Sequence, residues 1–353
     1  MIAGYPTTAA LLALLVGCGS SDGPVTPESP VPPVPALESI PFAALGSGKI
    51  AFERISLLDD KTYGATYVVD ATAASSTHTF DNAIAFGPAL SPDGGRLAYT
   101  TYANSNTLYD VYVANTDGTG VQHVTSFPTQ EGSPSWTPDG SRILTVGTTG
   151  PYVDNIFSQS VVTPGDVLQL THFTVPTGPF TCPTIIDNDV PITVSPQGLL
   201  AFACLVGEID ILSPDGSLSA SYKPARNDRR HWPNVFAPKW SPDGTRLAAI
   251  ETTSDSATNY SLLAVSVKVM NADGTNVTTI ASGAGSDAQT GGGWVGLNNF
   301  SLCWTADGSH LVFNVPEHPL VGHLWVVRAD GSGLTQLTSA PGAWDRSVSC
   351  SRS

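Results

Sequence analysis

Trp240-Ser241-Pro242-Asp243-Gly244 is the stretch that decides the fold, because close copies of it recur along the chain. Pro presets the φ angle of a turn, Asp and Ser can bond back to their own backbone, and Gly accepts a positive φ. An apolar run follows each copy, which is the pattern of a β-hairpin. The five turn copies are Ser91–Gly94, Thr137–Gly140, Ser195–Gly198, Ser241–Gly244 and Thr305–Gly308.

The copies recur at a period that suits a repeat architecture. The third residue of each turn stands at 93, 139, 197, 243 and 307, so the intervals are 46, 58, 46 and 64 residues. A second turn follows within several copies, as in Met270-Asn271-Ala272-Asp273-Gly274, and a short closing strand comes after it. Each copy therefore predicts four strands. A period of this size with four short strands is typical of propeller blades.

The two turns together resemble the repeat of TolB-like β-propellers, whose blades carry a Trp-Ser-Pro-Asp-Gly turn and a later Met-Asn-Ala-Asp-Gly turn. The resemblance covers roughly residues 46–353 and departs from the pattern at Gln197, which replaces the turn Asp. It implies a propeller of the periplasm that works through protein contacts. Propellers host unrelated activities, so the fold alone does not assign a function.

An incomplete copy precedes the five full ones. Lys49–Phe52, Ala65–Asp70 and Thr77–Phe80 match its second, third and fourth strands, and its innermost strand is missing. The period places the missing strand at the chain end, within Ser347–Ser351. We therefore predict an all-β fold, a six-bladed β-propeller of four-stranded blades that is closed by the C-terminal strand joining the N-terminal blade. Such closure leaves no free sheet edge.

Residues 1–18 are predicted to be a lipoprotein-type signal peptide. The apolar run 9–17 is shorter than the roughly 20 residues that span a bilayer, and it suits the apolar region of a secretory signal. Leu15-Val16-Gly17-Cys18 resembles a bacterial lipobox, which implies lipidation of Cys18 and a membrane-anchored protein of the bacterial cell envelope, on the periplasmic side or at the outer membrane. A structural strand with a chance Cys is the alternative, because no Lys or Arg precedes the run.

Residues 19–44 are predicted to form a Pro-rich tether, and residues 45–353 the propeller. The chain has 15 Lys and Arg against 30 Asp and Glu, a net charge of −15. This balance argues against nucleic acid as a partner. We expect a monomer.

Four further cysteines permit two disulfides, with three connectivities. We favour Cys182–Cys204, and also Cys303–Cys350 on neighbouring inner strands. No Cys-x-x-Cys or Cys–His spacing indicates a metal site, so neither a metal nor a cofactor is predicted.

The candidate binding site is the basic segment, residues 223–232, which holds four of the fifteen basic residues. Arg captures carboxylate or phosphate, and a nearby Trp offers stacking. Pairing of these arginines with local acids such as Asp228 or Asp210, or plain solvation, is the alternative. Topology places the strand that carries Trp344 and Asp345 at the same loop-rich end. The candidate binding residues are Arg226, Arg229, Arg230, His231, Trp232, Trp294, Trp344 and Asp345.

These features favour an envelope-anchored propeller lipoprotein that binds or scaffolds a protein or glycan partner. The alternative is a propeller enzyme, lactonase-like or glycan-lyase-like, with a site in the central funnel. No Gly-x-Ser-x-Gly and no His-Glu-x-x-His occurs in the chain. The candidate catalytic groups for that alternative are Asp154, His231, His318 and Asp345.

Overall fold

A computed structural model describes most of the chain after the first 36 residues. The described residues are 37–38, 40–58, 61–81, 86–102, 109–125, 134–150, 153–173, 192–204, 207–226, 228–258, 261–284, 300–318 and 321–352. Regular structure among them consists of 24 strands and two 3₁₀ turns, Phe42–Ala44 and Ser256–Thr258. The leader, residues 1–18, and most of the predicted tether lie outside the described residues. No helix in the described ranges is both long and apolar enough to cross a membrane.

Sixteen strands form four antiparallel sheets of four strands, each built from consecutive strands. The first holds β4 (Phe86–Leu90), β5 (Arg96–Tyr102), β6 (Tyr109–Asn115) and β7 (Gln122–His123). The second holds β8 (Ser135–Trp136), β9 (Arg142–Gly150), β10 (Val153–Ser160) and β11 (Val167–Gln169). The third holds β12 (Thr193–Val194), β13 (Leu200–Cys204), β14 (Glu208–Leu212) and β15 (Leu218–Tyr222). The fourth holds β16 (His231–Trp240), β17 (Arg246–Asp255), β18 (Ser261–Asn271) and β19 (Thr278–Ala284).

The other eight strands form one sheet that combines the two ends of the chain. Its C-terminal set is β20 (Leu302–Trp304), β21 (His310–His318), β22 (Val321–Arg328) and β23 (Thr335–Gln336). Its N-terminal set is β24 (Ala343–Cys350), β1 (Lys49–Leu58), β2 (Lys61–Asp70) and β3 (Ser75–Asp81). The C-terminal strand β24 pairs antiparallel with β1, from Ile50–Cys350 to Ser56–Ala343.

The sheet count differs from the prediction of six separate four-stranded blades. One parallel pair, Gly322 with Trp344, joins β22 to β24 and merges two sets of four strands into one sheet. Glycine permits this approach, because a Cβ atom at position 322 would lie 2.9 Å from Cδ1 of the Trp344 ring. The all-β propeller fold is confirmed, with four separate four-stranded sheets and one of eight strands.

Apolar side chains on both faces of the second strands hold the sheets together. All five residues of β13 are buried, which is the continuous apolar pattern of a strand covered on both faces. The buried clusters lie between sheets that follow one another in the chain; one, for example, joins Phe236 and Ile250 to Phe313. A further cluster packs Phe52 of the N-terminal set against Val312 of the C-terminal set.

The repeated Asp-Gly turns have the structural role that their recurrence predicts. In the Ser91–Gly94 turn, the amide of Gly95 donates to Asp93 (3.0 Å), and the amide of Arg96 donates to the Ser91 hydroxyl (2.9 Å). Gly94 has a φ of 65°, a conformation that few other residues adopt without strain. Hydrogen bonds from the Ser91 hydroxyl and from the amide of Gly95 hold the pKa of Asp93 below its usual value.

The Trp and Arg of the repeat join neighbouring sheets. Arg246 lies 4.6 Å from the ring centroid of Trp304 in the following strand set, and its Nη2 donates to the carbonyl of Gly308 (3.1 Å). The Trp304 ring in turn donates to the carbonyl of Lys239 (3.0 Å). Arg96 and Trp136 repeat the stacking contact at 4.7 Å between the first and second sheets. The repeat therefore encodes the contacts between sheets as well as the turns.

The segment just before β1 belongs to the folded unit rather than to the tether. Ile40 and Leu45 are buried in the cluster around Phe52, and Glu38 forms an ion pair with Arg54 at 2.7 Å. The predicted tether, residues 19–44, therefore extends too far. The prediction rested on the many prolines of the segment. The apolar side chains of Ile40 and Leu45 nevertheless pack into the propeller core.

Two cysteines of the described chain form the predicted disulfide between inner strands. Cys303 of β20 and Cys350 of β24 are bonded, with their Cα atoms 5.5 Å apart. Cys204 is also in a disulfide. Its partner lies outside the described residues, so the pairing of Cys204 with Cys182 stays a prediction.

Candidate functional site

The basic segment connects β15 to β16, between the third and fourth sheets. Arg226, Arg229 and Arg230 are exposed, and Trp232 keeps 38% of its surface accessible. Strand β16 begins at His231 and pairs with the end of β17, so the last residues of the segment stand on a regular hairpin. The exposed arginines are therefore carried by a short connection between two rigid strands.

Arg226 is held flat against the indole ring of Trp232. Its guanidinium carbon lies 3.4 Å from the ring centroid, within the range of a cation–π contact. Its Nε and Nη2 donate to the backbone carbonyls of Asp228 (2.8 Å) and Arg229 (2.9 Å). These three contacts fix the side chain and leave its charge without a carboxylate partner among the described residues. Arg229 likewise forms no ion pair within the described chain.

The other three basic side chains of the segment have local acidic partners, and the ammonium of Lys223 lies 3.2 Å from a carboxylate oxygen of Glu208. Arg230 donates through Nε to Asp255 (2.7 Å), and this bond lowers the pKa of Asp255 to about 2. The backbone amide and ring of His231 both bond Asp228, with the ring Nδ1 2.6 Å from the carboxylate, and the pKa of Asp228 also falls to about 2. The local-acid alternative therefore holds for Arg230, through Asp255 rather than Asp210.

Asp345, in contrast, lies in a buried ion-pair network. Its carboxylate accepts two hydrogen bonds from Arg54, at 2.7 and 2.8 Å, and neither side chain has accessible surface. Glu38 completes the network from the other side of the guanidinium and also accepts the backbone amide of Ala340 (3.1 Å). Burial raises the pKa of Glu38, but the bonds from Arg54 and the backbone outweigh it and lower that pKa to about 2.

This placement differs from the predicted surface site for Trp344 and Asp345. Asp345 fixes the closing strand β24 to β1 and offers no atom to a ligand. Trp344 is partly buried between Gly322 and Arg346, whose guanidinium lies 4.9 Å from the ring centroid. Arg346 is in turn bound to Glu53 (2.9 Å). The contacts of these residues are thus made within the paired strands β24, β1 and β22.

Three predicted candidates are not described. Trp294 lies outside the described residues, and nothing is described of the side chains of Asp154 and His318. Of the groups considered for the enzyme alternative, His231 is bound to Asp228 and Asp345 is buried.

One group of metal-ligand residues occurs in the described chain, at Cys204, Glu208 and Asp210. Burial and the nearby charge of Glu208 raise the pKa of Asp210 to about 6. Because the Cys204 sulfur is in a disulfide, it offers no thiolate to a metal ion.

Sequence reasoning missed Arg54 and Glu38, which carry the buried network. Arg54 falls in an apolar strand and Glu38 among prolines, and neither belongs to a repeat position. The adjacent charged residues Glu53 and Arg54 in the middle of a largely apolar strand were the available signal, since buried charges need partners.

Comparison with known proteins supports the fold. No family model matches the chain. The structure resembles TolB from Acinetobacter baumannii with a TM-score of 0.62 and 17% identity, over 86% of this chain and 66% of that protein. It also resembles a putative TolB from Agrobacterium tumefaciens with a TM-score of 0.50 and 15% identity, over 86% and 99% of the two chains. Hydrazine synthase from Kuenenia stuttgartiensis gives 0.56 at 11% identity, over 86% of this chain and 46% of that one.

Proposed function

On the TolB-like β-propeller fold of this chain, we propose that the protein is a binding scaffold of the bacterial envelope. The basic segment is its contact face for an acidic protein partner. The observation that carries the proposal is a pair of exposed arginines, Arg226 and Arg229, that have no carboxylate partner among the described residues and lie beside the partly exposed ring of Trp232. Arg and Trp are the residues most enriched at the energetic centres of protein interfaces.

The electrostatics of the chain favour an acidic partner at this face. Excess negative charge spread over the protein repels acidic molecules, and a local basic surface offers them one attractive region. The stacking of Arg226 on Trp232 also reduces the ordering cost of binding, because the side chain is already held. A bidentate hydrogen bond from a fixed guanidinium to a carboxylate is a strong and directional contact.

The proposal includes a closed ring of six blades as the rigid support of this face. The eight-stranded sheet divides naturally at its single parallel pair, Gly322 with Trp344. Buried clusters link all neighbouring sets of strands, including the N-terminal to the first sheet and the C-terminal to the N-terminal set. The C-terminal strand β24 is the innermost strand of the N-terminal set. Its pairing with β1 therefore joins the two ends of the chain.

An envelope location is the further part of the proposal. It rests on the lipobox-like Leu15–Cys18, with lipid attached at Cys18 and residues 19–36 as the tether. The test is metabolic labelling of cells with an alkyne fatty acid. Label on the wild-type protein that is lost in Cys18→Ser supports the anchor, and equal label on both proteins contradicts lipidation at this position.

Crosslinking in intact envelopes tests the contact face. Wild type, Arg226→Ala/Arg229→Ala and the control Arg328→Ala are captured after crosslinking, and the retained proteins are identified. Arg328 is exposed on a different turn, so its removal takes away one positive charge of the same type without touching the basic segment. Loss of two contact-centre arginines weakens binding by about 2 kcal/mol or more, roughly 30-fold.

The proposal expects one acidic protein that the control retains and the double variant loses. Equal retention of that protein by all three chains would show that the basic segment is not the contact face. If wild type and the control instead retain an anionic glycan that the double variant loses, the partner is a glycan and the same arginines bind it.

A further inference from the structure

A small cavity of about 70 Å³ lies where the innermost strands converge near the Ser-Pro-Asp-Gly turns. Every set of strands contributes to its wall through its first strand: β4, β8, β12, β16, β20 and β24. One lining residue from each of them is Leu90, Ser135, Thr193, Lys239, Cys303 and Ser349. The cavity therefore lies at the centre of the strand sets, and it is separate from the basic segment at the start of β16.

Two cations line this cavity, and no described residue of its wall carries a compensating acid. The backbone N–H of Arg352 donates a hydrogen bond to the Pro92 carbonyl (2.8 Å), and its side-chain Nη2 donates to the Val194 carbonyl (2.8 Å). Its Nη1 is buried and has no hydrogen-bond partner in the described structure. The ammonium of Lys239 forms no ion pair with any described residue. No Asp or Glu is among the residues that line the cavity.

The wall also holds an uncharged hydrogen-bond donor that has no acceptor among the described residues. The indole N–H of Trp240 is buried and has no acceptor in the described chain. The equivalent rings of Trp136 and Trp304 donate to the carbonyls of Ala89 (2.9 Å) and Lys239 (3.0 Å) in the preceding strand sets. A buried donor that is left without an acceptor costs free energy. The cavity thus presents a surplus of donors and positive charge on several sides.

We propose that this cavity binds one small inorganic anion, of the size of chloride or phosphate, between Lys239 and Arg352. The anion accepts hydrogen bonds from Arg352 Nη1 and from the Lys239 ammonium, and it neutralises two charges of partly buried residues that otherwise repel each other. An unpaired buried charge is costly, and a bound counter-ion removes that cost. The site is distinct from the proposed contact face and does not depend on it.

The electrostatics of the two cations agree with this reading. Burial lowers the pKa of Lys239, and the charge of Arg352 lowers it further, to about 8. Burial also lowers the pKa of Arg352. These two are the titratable groups of the cavity wall, since Cys303 and Cys350 are joined in the disulfide. An anion would favour the protonated ammonium, so binding should raise the pKa of Lys239.

Anion-dependent thermal unfolding of the full chain tests the site. Wild type is melted at pH 7 in sodium chloride, sodium phosphate and sodium gluconate of matched ionic strength. Gluconate is an organic anion too large for a cavity of about 70 Å³. We expect the melting temperature to rise with chloride or phosphate above its value in gluconate. At an anion concentration 100 times the dissociation constant, the unfolding equilibrium shifts by about 100-fold toward the folded state.

Two variants assign the effect to the cavity. Arg352→Gln and Lys239→Met should each lose the anion-specific rise, and the control Arg328→Gln should keep it. Lys239→Met supplies the result if Arg352→Gln does not fold. Chloride line broadening in ³⁵Cl NMR gives a second readout on the same proteins. Equal melting in all three salts, or an anion response that survives both cavity variants, would overturn the proposal.

The pH dependence gives a further distinction from general salt effects. Because the ammonium of Lys239 loses its proton as pH rises through about 8, affinity for the anion should be roughly tenfold weaker at pH 9 than at pH 7. An affinity that does not change between these pH values would contradict a role for Lys239.

Discussion

Replacement of Asp345 by Asn should destabilise the protein through the buried Arg54. The change keeps the side-chain shape and removes one charge from a pair in which neither side chain is accessible. Removing one partner of a buried ion pair costs about 3–5 kcal/mol. Glu38 still faces the guanidinium and is partly exposed, so we expect the lower value, about 3 kcal/mol.

Thermal unfolding measures this effect. The folded unit comprises residues 34–353, and an unfolding entropy of about 2.1 cal/mol/K per residue makes 1 kcal/mol equivalent to about 1.5 °C. Asp345→Asn should therefore melt about 5 °C below wild type. The matched variant Glu38→Gln/Arg54→Met/Asp345→Leu removes all three charges of the network and should recover most of the loss, because replacing a whole buried ion-pair network by uncharged residues is often neutral. A melting temperature for Asp345→Asn within 1 °C of wild type would refute the reasoning.

Two other predictions concern the contacts between sheets and the response to acid. Arg246→Ala removes the stacking on Trp304 and a hydrogen bond, so it should cost about 1–2 kcal/mol in chemical denaturation; the exposed Arg328→Ala is the control, and equal losses would contradict the contact's role. The pKa of Glu38 is lowered to about 2, so the stability it contributes is present above its unfolded value near 4.5 and disappears as pH falls toward 2. Glu38→Gln should therefore melt below wild type at pH 6 and approach it at pH 2.5, and parallel pH profiles would argue against this assignment.

Much of the fold was predictable because the turns are local and repeated. Each Ser-Pro-Asp-Gly copy fixes a hairpin through hydrogen bonds within a few residues, so the strand pairs can be inferred from the sequence. The missing strand of the incomplete copy indicated that the chain end returns to the start, and β24 does pair with β1. What the repeat did not reveal was the extra pairing of Gly322 with Trp344, which depends on one glycine outside the repeat positions.

The candidate site was predictable only in part. The sequence shows where charged residues cluster, but tertiary packing decides which of them become buried. The arginines of the basic segment are exposed, as the predicted binding role requires. Asp345 lies in a strand that also carries Trp344 and Arg346, and the sequence held no sign that Arg54 would meet it from 291 positions away. Lys239 and Arg352 also become neighbours only through the convergence of the innermost strands.

Deletion of residues 345–353 tests whether the last strand closes the propeller. It removes most of β24, and a Cys303→Ser/Cys350→Ser variant separates loss of the strand from loss of the disulfide. Both proteins are compared with wild type by size-exclusion chromatography with light scattering and by thermal unfolding. The closed ring predicts that the deleted chain forms oligomers or has no cooperative unfolding transition, while the disulfide variant stays a folded monomer. A truncated chain that is monomeric and melts at the wild-type temperature would contradict closure by this strand.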